Sequence, residues 1–578
     1  MRLVEALELC RRPVADAAPE LRVFLACGFT PLHLTTFLAA ALGVLRPDTR
    51  VVIDSGVFGD LTGNIDRAGL SSAGSAVVAI EWGDLDPRLG IRTLGGWKPA
   101  GLSDIVDSAT EAGARLEQAL TKLSRRMPVV LSMPTLPLPP LFATRPAQAG
   151  SFELKLRRAV ASLAASLSEC AGMRIANPQL LNETSPEGGR YDVKSDVVTG
   201  FPYALPHASA MGDLLAGLIH NRQPKKGLIT DLDDTLWAGI VGEDGIEGIS
   251  WSLDRGHMHG LYQQLVASLA GAGVLVGVAS KNESAVVKQA FERSDLLLSR
   301  NDVFPLETQW SRKSESVERI LKTWNIGADS VVFVDDSPME VAEVKAAFPE
   351  MECIVFPKKD YAGIWNLLKH LRDVFGKPLL TDEDAIRLRS LRAAGAWQGV
   401  LGSDGRASDD FLRASEACVV FEPIQPEGDG RAFELVNKTN QFNLNGKRFT
   451  EAEWQSMVRD PAAAGFSVSY RDKYGPLGRI AVILGRMLGA KFQVDAFVLS
   501  CRAFSRRIEH QCLQYLFETL GVEEIEFDYQ ATARNGPLQE FFTELLGRPA
   551  APPLALSRRQ FASRVPELFH RVEGTIHG

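Results

Sequence analysis

Short apolar runs alternate with longer stretches whose apolar residues recur every three or four positions, and the alternation spans nearly the whole chain. Runs of four to six apolar residues bounded by polar or turn-forming residues predict buried strands, and the longer periodic stretches predict helices. Strand and helix in regular alternation predict α/β architecture with parallel sheets. In residues 1–222 the expected strands are Arg22–Ala26, Arg50–Asp54, Ala76–Glu81, Pro128–Met133 and Gly172–Ala176. Helices are expected at Leu32–Leu45, Asp104–Ser124, Glu153–Cys170 and Ala208–His220. Val23 to Leu45 carries no charged residue and approaches the length of a membrane span. Gly28, Pro31, His33, Thr35 and Thr36 interrupt it, so it reads as strand, loop and core helix.

A polar linker, Asn221 to Lys226, leads into a second region, 223–378. Strands are expected at Gly227–Thr230, Val274–Ala279 and Ser330–Val334. Leu261, Leu265 and Leu269 mark a helix over Gly260–Ala270. Val317, Ile320, Leu321 and Trp324 form one apolar stripe at helical spacing. A charged helical connector, 379–399, precedes a third region, 400–578. There the pattern predicts strands at Ala417–Pro423, Gly465–Tyr470, Gly478–Leu484 and Asp495–Cys501, then a helix over Ser505–Leu520. No repeat of the solenoid type is visible.

Composition narrows the classes. The 578 residues are 45% hydrophobic and 23% charged, which suits folded domains and excludes a mainly disordered chain. Lys and Arg number 63 against 71 Asp and Glu, a net charge of −8, so there is no general basic surface for nucleic acid or an anionic membrane. The 7 cysteines are scattered without a CxxC pair, against both a disulfide framework and a zinc ribbon. With an N-terminus that lacks signal-peptide order, they point to a reduced, cytoplasmic setting.

The chemistry concentrates in the second region. The strand Gly227–Thr230 ends in Asp231-Leu-Asp233-Asp234-Thr235. Carboxylates just past a strand's C-terminal end stand in the crevice where open α/β sheets bind ligands. Asp231 can attack phosphorus while Asp233 protonates the leaving oxygen and then activates water. The strand Val274–Ala279 ends in Ser280-Lys281-Asn282, where a hydroxyl and backbone N–H groups can hold phosphoryl oxygens. Lys313, just before a helix, can neutralise phosphate charge. The strand Ser330–Val334 ends in Asp335-Asp336-Ser-Pro-Met-Glu340. Asp231 and Asp336, with Asp335 or Glu340, offer hard oxygen ligands for Mg²⁺.

These four pieces, in this order, resemble motifs one to four of the haloacid-dehalogenase superfamily. DLDDTLWAGIVGEDG, SKN and VDDSP together resemble its FkbH-like branch, as does Glu434-Leu-Val-Asn437-Lys438-Thr-Asn440-Gln-Phe-Asn443. The resemblance implies an enzyme of polyketide and nonribosomal peptide pathways. Such an enzyme takes the glyceryl unit of 1,3-bisphosphoglycerate, removes its phosphate and loads it onto the phosphopantetheine thiol of an acyl carrier protein. By motif match Asp231 is the nucleophile and Asp233 the acid/base. Ser280, Lys281, Asn282 and Lys313 bind phosphate, and Asp231, Asp233, Asp335 and Asp336 hold Mg²⁺. One position departs: glyceryl-loading members carry Cys immediately before the motif-two Ser, and this chain has Ala279. A thiol elsewhere (Cys27 or Cys501), direct transfer, or other phosphatase chemistry then has to be considered.

The third region resembles a GNAT-like acyltransferase, a mixed α+β domain. Arg471 to Gly478 reads as a hairpin. Ser505 and Arg507 stand where such proteins have glycines in a pyrophosphate loop. Arg502, Arg506 and Arg507, with Asn437, Lys438, Asn440 and Asn443, are either a site for a thioester or carrier arm or a solvated basic helix start with polar turns. The first region resembles a degenerate SGNH-hydrolase-like three-layer α/β domain. Its first loop, Cys27-Gly28-Phe29-Thr30, lacks the serine, although Asp54, Asp60 and a late His207 are present, so docking or structural work is expected of it. His257 and His259 read as a helix cap or surface pair. The expectation is three domains: SGNH-like, a Rossmann-like parallel-sheet haloacid-dehalogenase domain, and GNAT-like. Three functions stand open: a glyceryl transferase and phosphatase, a Mg²⁺-dependent phosphatase on another phosphorylated acyl or sugar substrate, and a non-catalytic carrier-docking scaffold.

Overall fold

The computed structural model describes residues 1–15, 17–141, 144–377, 409–425, 429–473, 475–500 and 503–574. The connector expected at 379–399, Cys501 and Arg502 lie outside these residues. The chain divides into two compact units: Met1–Arg222 with Phe449–Ser456, and Gln223–Arg448 with Met457–Gly578.

The first unit is built on β1 (Glu20–Cys27), β2 (Arg50–Ser55), β3 (Ser75–Ala79), β4 (Val129–Ser132) and β5 (Met173–Ile175). All pair in parallel, in the order β2-β1-β3-β4-β5. Successive side chains of a strand face opposite ways, and here both faces are covered. Val23, Leu25, Val77 and Ala79 pack with Phe37, Leu38, Met211 and Leu215 from the helices Leu32–Leu45 and Leu205–His220. Phe24, Ala26, Ala76 and Val78 pack with Leu116, Leu120 and Leu163 from the helices Leu102–Ser124 and Ser151–Ser168. That division makes three layers, and burying each large apolar side chain contributes roughly 1.5–3 kcal/mol. Most of the uncharged segment Val23–Leu45 is core, with Leu32, Val44 and Leu45 exposed. Among the described residues no helix is long and apolar enough to cross a membrane.

The second unit contains two sheets. The first has β6 (Gly227–Thr230), β7 (Leu275–Ser280), β8 (Val303–Thr308), β9 (Val331–Asp335) and β10 (Glu352–Val355), parallel in the order β10-β9-β6-β7-β8. Leu228, Val276, Val278, Val332 and Val334 pack on one face against Tyr262, Val266 and Leu371. Ile229, Leu275, Ala279, Val331 and Phe333 pack on the other against Val317, Ile320 and Trp324. The sequence pattern marks β6, β7 and β9 but neither β8 nor β10. Those two are the sheet edges and are half-buried, so neither is a continuous apolar run.

The second sheet is mixed: β11 (Cys418–Pro423), β12 (Ala463–Asp472), β13 (Gly475–Leu488), β14 (Lys491–Leu499), β15 (Glu524–Phe527), β16 (Leu554–Ser557) and β17 (Arg571–Gly574), in the order β16-β15-β14-β13-β12-β11-β17. β12 and β13 form the expected hairpin, closing on Asp472 and Gly475. The helix Ile508–Thr519 buries Ile508, Cys512, Leu513 and Leu516 in the core of this sheet.

Candidate active site

Register places the catalytic candidates. Thr230 of β6 pairs with Val334 of β9 and with Val278 of β7. The next residues, Asp231, Asp335 and Ala279, therefore stand level at the C-terminal edge. Asp231 N donates to Val334 O at 2.9 Å, which fixes the start of its loop.

Asp231, Asp335 and Asp336 each offer a carboxylate oxygen, all within 4.8 Å of one another. Lys313 opens the helix Lys313–Trp324 and is only 2% exposed. Its Nζ lies 2.9 Å from Asp231 Oδ1, 2.9 Å from Asp335 Oδ2 and 3.0 Å from Glu340 Oε2, and it donates to Ala279 O at 2.9 Å. Burial opposes its charge, yet Asp231, Asp335 and Glu340 together raise its pKa. The carboxylates are not fully compensated. Burial, then the charge of Asp231, pushes Asp335 up to about 7, and burial raises Asp231 against the pull of Lys313. An excess of buried negative oxygen donors is the donor set a hard divalent cation takes, so Asp231, Asp335 and Asp336 fit Mg²⁺.

Asp233 is not part of that cluster. Its Oδ1 accepts from Trp237 Nε1 at 2.9 Å and Val241 N at 3.0 Å, and its Oδ2 from Asn282 Nδ2 at 2.9 Å. The same Asn282 amide donates to Ser280 Oγ at 3.0 Å. One side chain thus ties the loop after β6 to the loop after β7, and positions the second carboxylate independently of the first. Lys281 is directed to Glu340, with Nζ 2.7 Å from Oε1. Burial opposes the Glu340 charge, but Lys313 and Lys281 hold its pKa below the usual value.

Sequence reasoning missed Lys358, which follows β10. Its Nζ lies 2.8 Å from Asp336 Oδ2 and 2.9 Å from Asp234 Oδ2. Burial opposes the Lys358 charge, but these partners push its pKa up to about 12. The available signal was a lysine pair just beyond a short strand, which is too common to single out. His259 is neither cap nor surface. It is buried, with its Nδ1 2.9 Å from Thr235 O, and burial lowers its pKa. His257 is the exposed first residue of the same helix.

Ala279 is 0% exposed, and its side chain packs with Val317 and Ile320. Cys27 donates to Phe29 O, and burial pushes its thiol up to about 12, which disfavours a thiolate. Asp54 pairs with Arg22 at 3.2 Å, and Asp60 caps the helix Leu61–Leu70. His207 is buried, its Nε2 3.0 Å from Thr135 Oγ1 and its Nδ1 2.9 Å from Ser185 Oγ. Thr135 in turn donates to buried Glu81 at 2.6 Å. His207, Thr135, Ser185 and Glu81 form a satisfied core network rather than an open triad.

The described third-region candidates make separate contacts. Asn437 and Lys438 end the helix Gly430–Lys438, with Lys438 paired to Glu434, and Asn440 accepts from Arg448. Arg506 is 3% exposed, its guanidinium 5.5 Å from the Tyr470 ring centre and 3.9 Å from Asp472. Ser505 and Arg507, which stand in place of glycines, both take left-handed φ, +64° and +58°. The segment after Asn440 enters the sheet. β14 and β15 pair only over Lys491–Val494 and Glu524–Phe527. Beyond that, Leu444 N donates to Phe497 O, Leu499 N to Phe442 O, and Gln530 N to Leu444 O, at 3.0, 3.0 and 3.2 Å. Phe442 to Leu444 thus lies between the two strands, and buried Asn443 accepts from Asn445 N and Gly446 N as a turn-former.

No family model matches the chain, and no curated protein does. Among solved structures it is similar to the N-terminal part of protein BF1531 from Bacteroides fragilis, containing a phosphatase domain complexed with Mg. The TM-score is 0.51 at 20% identity, over 66% of this chain and 100% of that one. Phospholipase A1 from Streptomyces albidoflavus NA297 aligns at 16% identity with a TM-score of 0.25, over 35% of this chain and 98% of that one. The first likeness, together with the parallel sheet β10-β9-β6-β7-β8, shows an α/β fold similar to that of a protein containing a phosphatase domain.

Proposed function

We propose that the chain is a Mg²⁺-dependent phosphatase or phosphotransferase acting through Asp231. The observation that carries this reading is Asp231 held by Lys313 inside the Asp231–Asp335–Asp336 cluster, with Asp233 fixed separately by Asn282, Trp237 and Val241. Mg²⁺ bound at the three aspartates supplies positive charge that offsets repulsion between the nucleophile and the phosphate. Asp231 attacks phosphorus, the P–O bond to the leaving group breaks, and Asp233 delivers a proton to the departing oxygen. Water, deprotonated by Asp233, then attacks the phospho-aspartate and frees phosphate, restoring both carboxyls. Ser280 and Lys313 face the transferring group, and the buried Lys313 charge costs no reorganisation during the reaction. The phosphatase domain with Mg in the similar Bacteroides protein supports this reading.

The finer reading, from the FkbH-like motifs, is that the substrate is 1,3-bisphosphoglycerate. The glyceryl unit then passes to the phosphopantetheine thiol of an acyl carrier protein in a reducing cytoplasm. Ala279 leaves that transfer without the expected thiol, so either a thiol elsewhere (Cys27 or Cys501) carries the acyl group, or the carrier thiol attacks the acyl phosphate directly with phosphate as the leaving group, or the chain does other phosphatase chemistry. The three regions are read as SGNH-like (1–222), haloacid-dehalogenase-like (223–378) and GNAT-like (400–578), joined by the connector 379–399. Asn437, Lys438, Asn440, Arg502 and Arg506 remain candidates for the carrier arm.

The test is to incubate a holo carrier protein with the chain, Mg²⁺ and freshly generated 1,3-bisphosphoglycerate, following free phosphate and the carrier's intact mass. Mg²⁺-dependent phosphate release abolished by Asp231→Asn is expected, together with a glyceryl adduct on the carrier. Phosphate release while the carrier stays unmodified, repeated with a second carrier to exclude a mismatch, favours the phosphatase over the transferase. Release unchanged in Asp231→Asn removes both.

A further inference from the structure

The helix Lys313–Trp324 starts without a cap of its own. Arg312 precedes it and makes no side-chain capping bond, so N–H groups of the first turn must find partners elsewhere. One partner comes from another helix. Ser314 N donates to Glu343 Oε1 at 3.1 Å, and Ser314 Oγ donates to the same oxygen at 2.6 Å. Glu343 lies on the helix Pro338–Ala347. Burial opposes its charge, but the Ser314 hydrogen bonds hold its pKa below the usual value. A carboxylate at a helix N-terminus also suits the helix dipole. The helix that carries Glu343 is itself tied to the aspartate cluster. Ser337, which caps it, donates its N–H to Asp335 Oδ1 at 2.9 Å. Glu340, three positions before Glu343, reaches Lys281 and Lys313 at 2.7 and 3.0 Å. Between the two helices Val341 and Val344 pack with Val317 and Leu321. Apolar packing is not directional, so by itself it sets the height of one helix along the other only loosely. Hydrogen bonds are directional, and the Ser314–Glu343 pair supplies two beside Lys313.

We propose that Glu343 is a positioning residue: through Ser314 it fixes the start of the Lys313 helix at the height from which Lys313 meets Asp231 and Asp335. The inference rests on the phosphatase reading and adds a residue that none of the four motifs contains. A contact path then runs from Asp335 through Ser337 and the helix Pro338–Ala347 to Glu343, Ser314 and Lys313. The aspartate loop and the lysine are set against each other as one unit. Lys313 stabilises charge that develops as the phosphoryl group transfers. Loss of its placement therefore falls on turnover, while Ser280 and the metal still hold the phosphate in the ground state.

The test follows p-nitrophenyl phosphate turnover by the full chain with Mg²⁺, with Asp231→Asn as the control for the site. Glu343→Ala should lower kcat at least tenfold and change KM less than threefold, since a misplacement of about 1 Å costs on the order of 100-fold in rate. Glu343→Gln keeps an oxygen acceptor and should return kcat to within threefold of wild type. Ser314→Ala keeps the backbone donor and should lose less than Glu343→Ala. The double variant should lose no more than Glu343→Ala alone, because both changes break one contact. Losing a cap lowers a melting temperature by only about 2–8 °C, so every variant is assayed well below its own melt. Wild-type kcat in Glu343→Ala, a loss that falls on KM, or a loss that glutamine does not restore would overturn the positioning role. Wild-type release that needs Asp231 and Mg²⁺ keeps the phosphatase reading in each of those cases. Release that is absent from wild type, or independent of Asp231, removes that reading and the inference with it.

Discussion

Lys358 Nζ lies 2.8 Å from Asp336 Oδ2 and 2.9 Å from Asp234 Oδ2, so a lysine beyond β10 joins the loops that follow β9 and β6. It pairs with Asp336, one of the three aspartates proposed to hold Mg²⁺, without belonging to that group. Removing such a supporting partner typically lowers metal affinity about 10–100-fold. Lys358→Ala should weaken Mn²⁺ binding in that range by paramagnetic resonance titration, and Lys358→Arg should restore most of it. Wild-type Mn²⁺ affinity in the alanine variant would reduce Lys358 to a surface tether.

Lys313 is a buried cation among three carboxylates. Taking one partner from a buried ion pair leaves uncompensated charge and costs about 3–5 kcal/mol. Lys313→Met should lower the urea midpoint accordingly. Because Asp231 supplies part of that buried charge, Asp231→Asn combined with Lys313→Met should cost less than the sum of the single changes. Strict additivity would mean the two side chains do not sense each other.

Burial lowers the pKa of His207 from 6.5 to about 3. The sign follows from which state binds the proton first. Below pH 6.5 the unfolded chain protonates its imidazole while the folded chain keeps it neutral. His207 therefore supports the fold above pH 6.5, and that support is lost as pH falls toward 3. The loss is about 1.4 kcal/mol per pH unit for one proton. His207→Gln should flatten the slope of unfolding free energy between pH 6 and 4 relative to wild type. An unchanged slope would place the proton uptake elsewhere.

Ala279 has no exposed surface and packs against Val317 and Ile320. A cysteine there should react with a water-soluble disulfide reagent at least tenfold more slowly than exposed Cys10, because reaction needs an accessible thiolate. Fast labelling of Ala279→Cys in the folded protein would show that the β7 edge opens. That result would also return a thiol-borne acyl group to consideration.

Local pattern determined much of this protein. β6, β7 and β9 are buried on both faces, so each is a continuous apolar run. Each ends in polar residues that the parallel arrangement sets side by side, which made Asp231, Ser280, Asp335 and Asp336 legible together. The helix stripe Val317, Ile320, Leu321 and Trp324 placed Lys313 at a helix start for the same reason. What the pattern could not carry was any pairing between residues distant in the chain. Asp233 and Asn282 meet across 49 positions, Asp234 and Lys358 across 124, and Thr135 and His207 across 72. The edge strands β8 and β10, half-exposed, left no apolar run to read. Asn443 reads from sequence as either a site residue or a polar turn-former, and only the tertiary structure places Phe442–Leu444 between β14 and β15. Sequence periodicity records which way a side chain faces, inward or outward. Only the closed sheet decides which other side chain it meets there, because that depends on strand order and register set by the whole core.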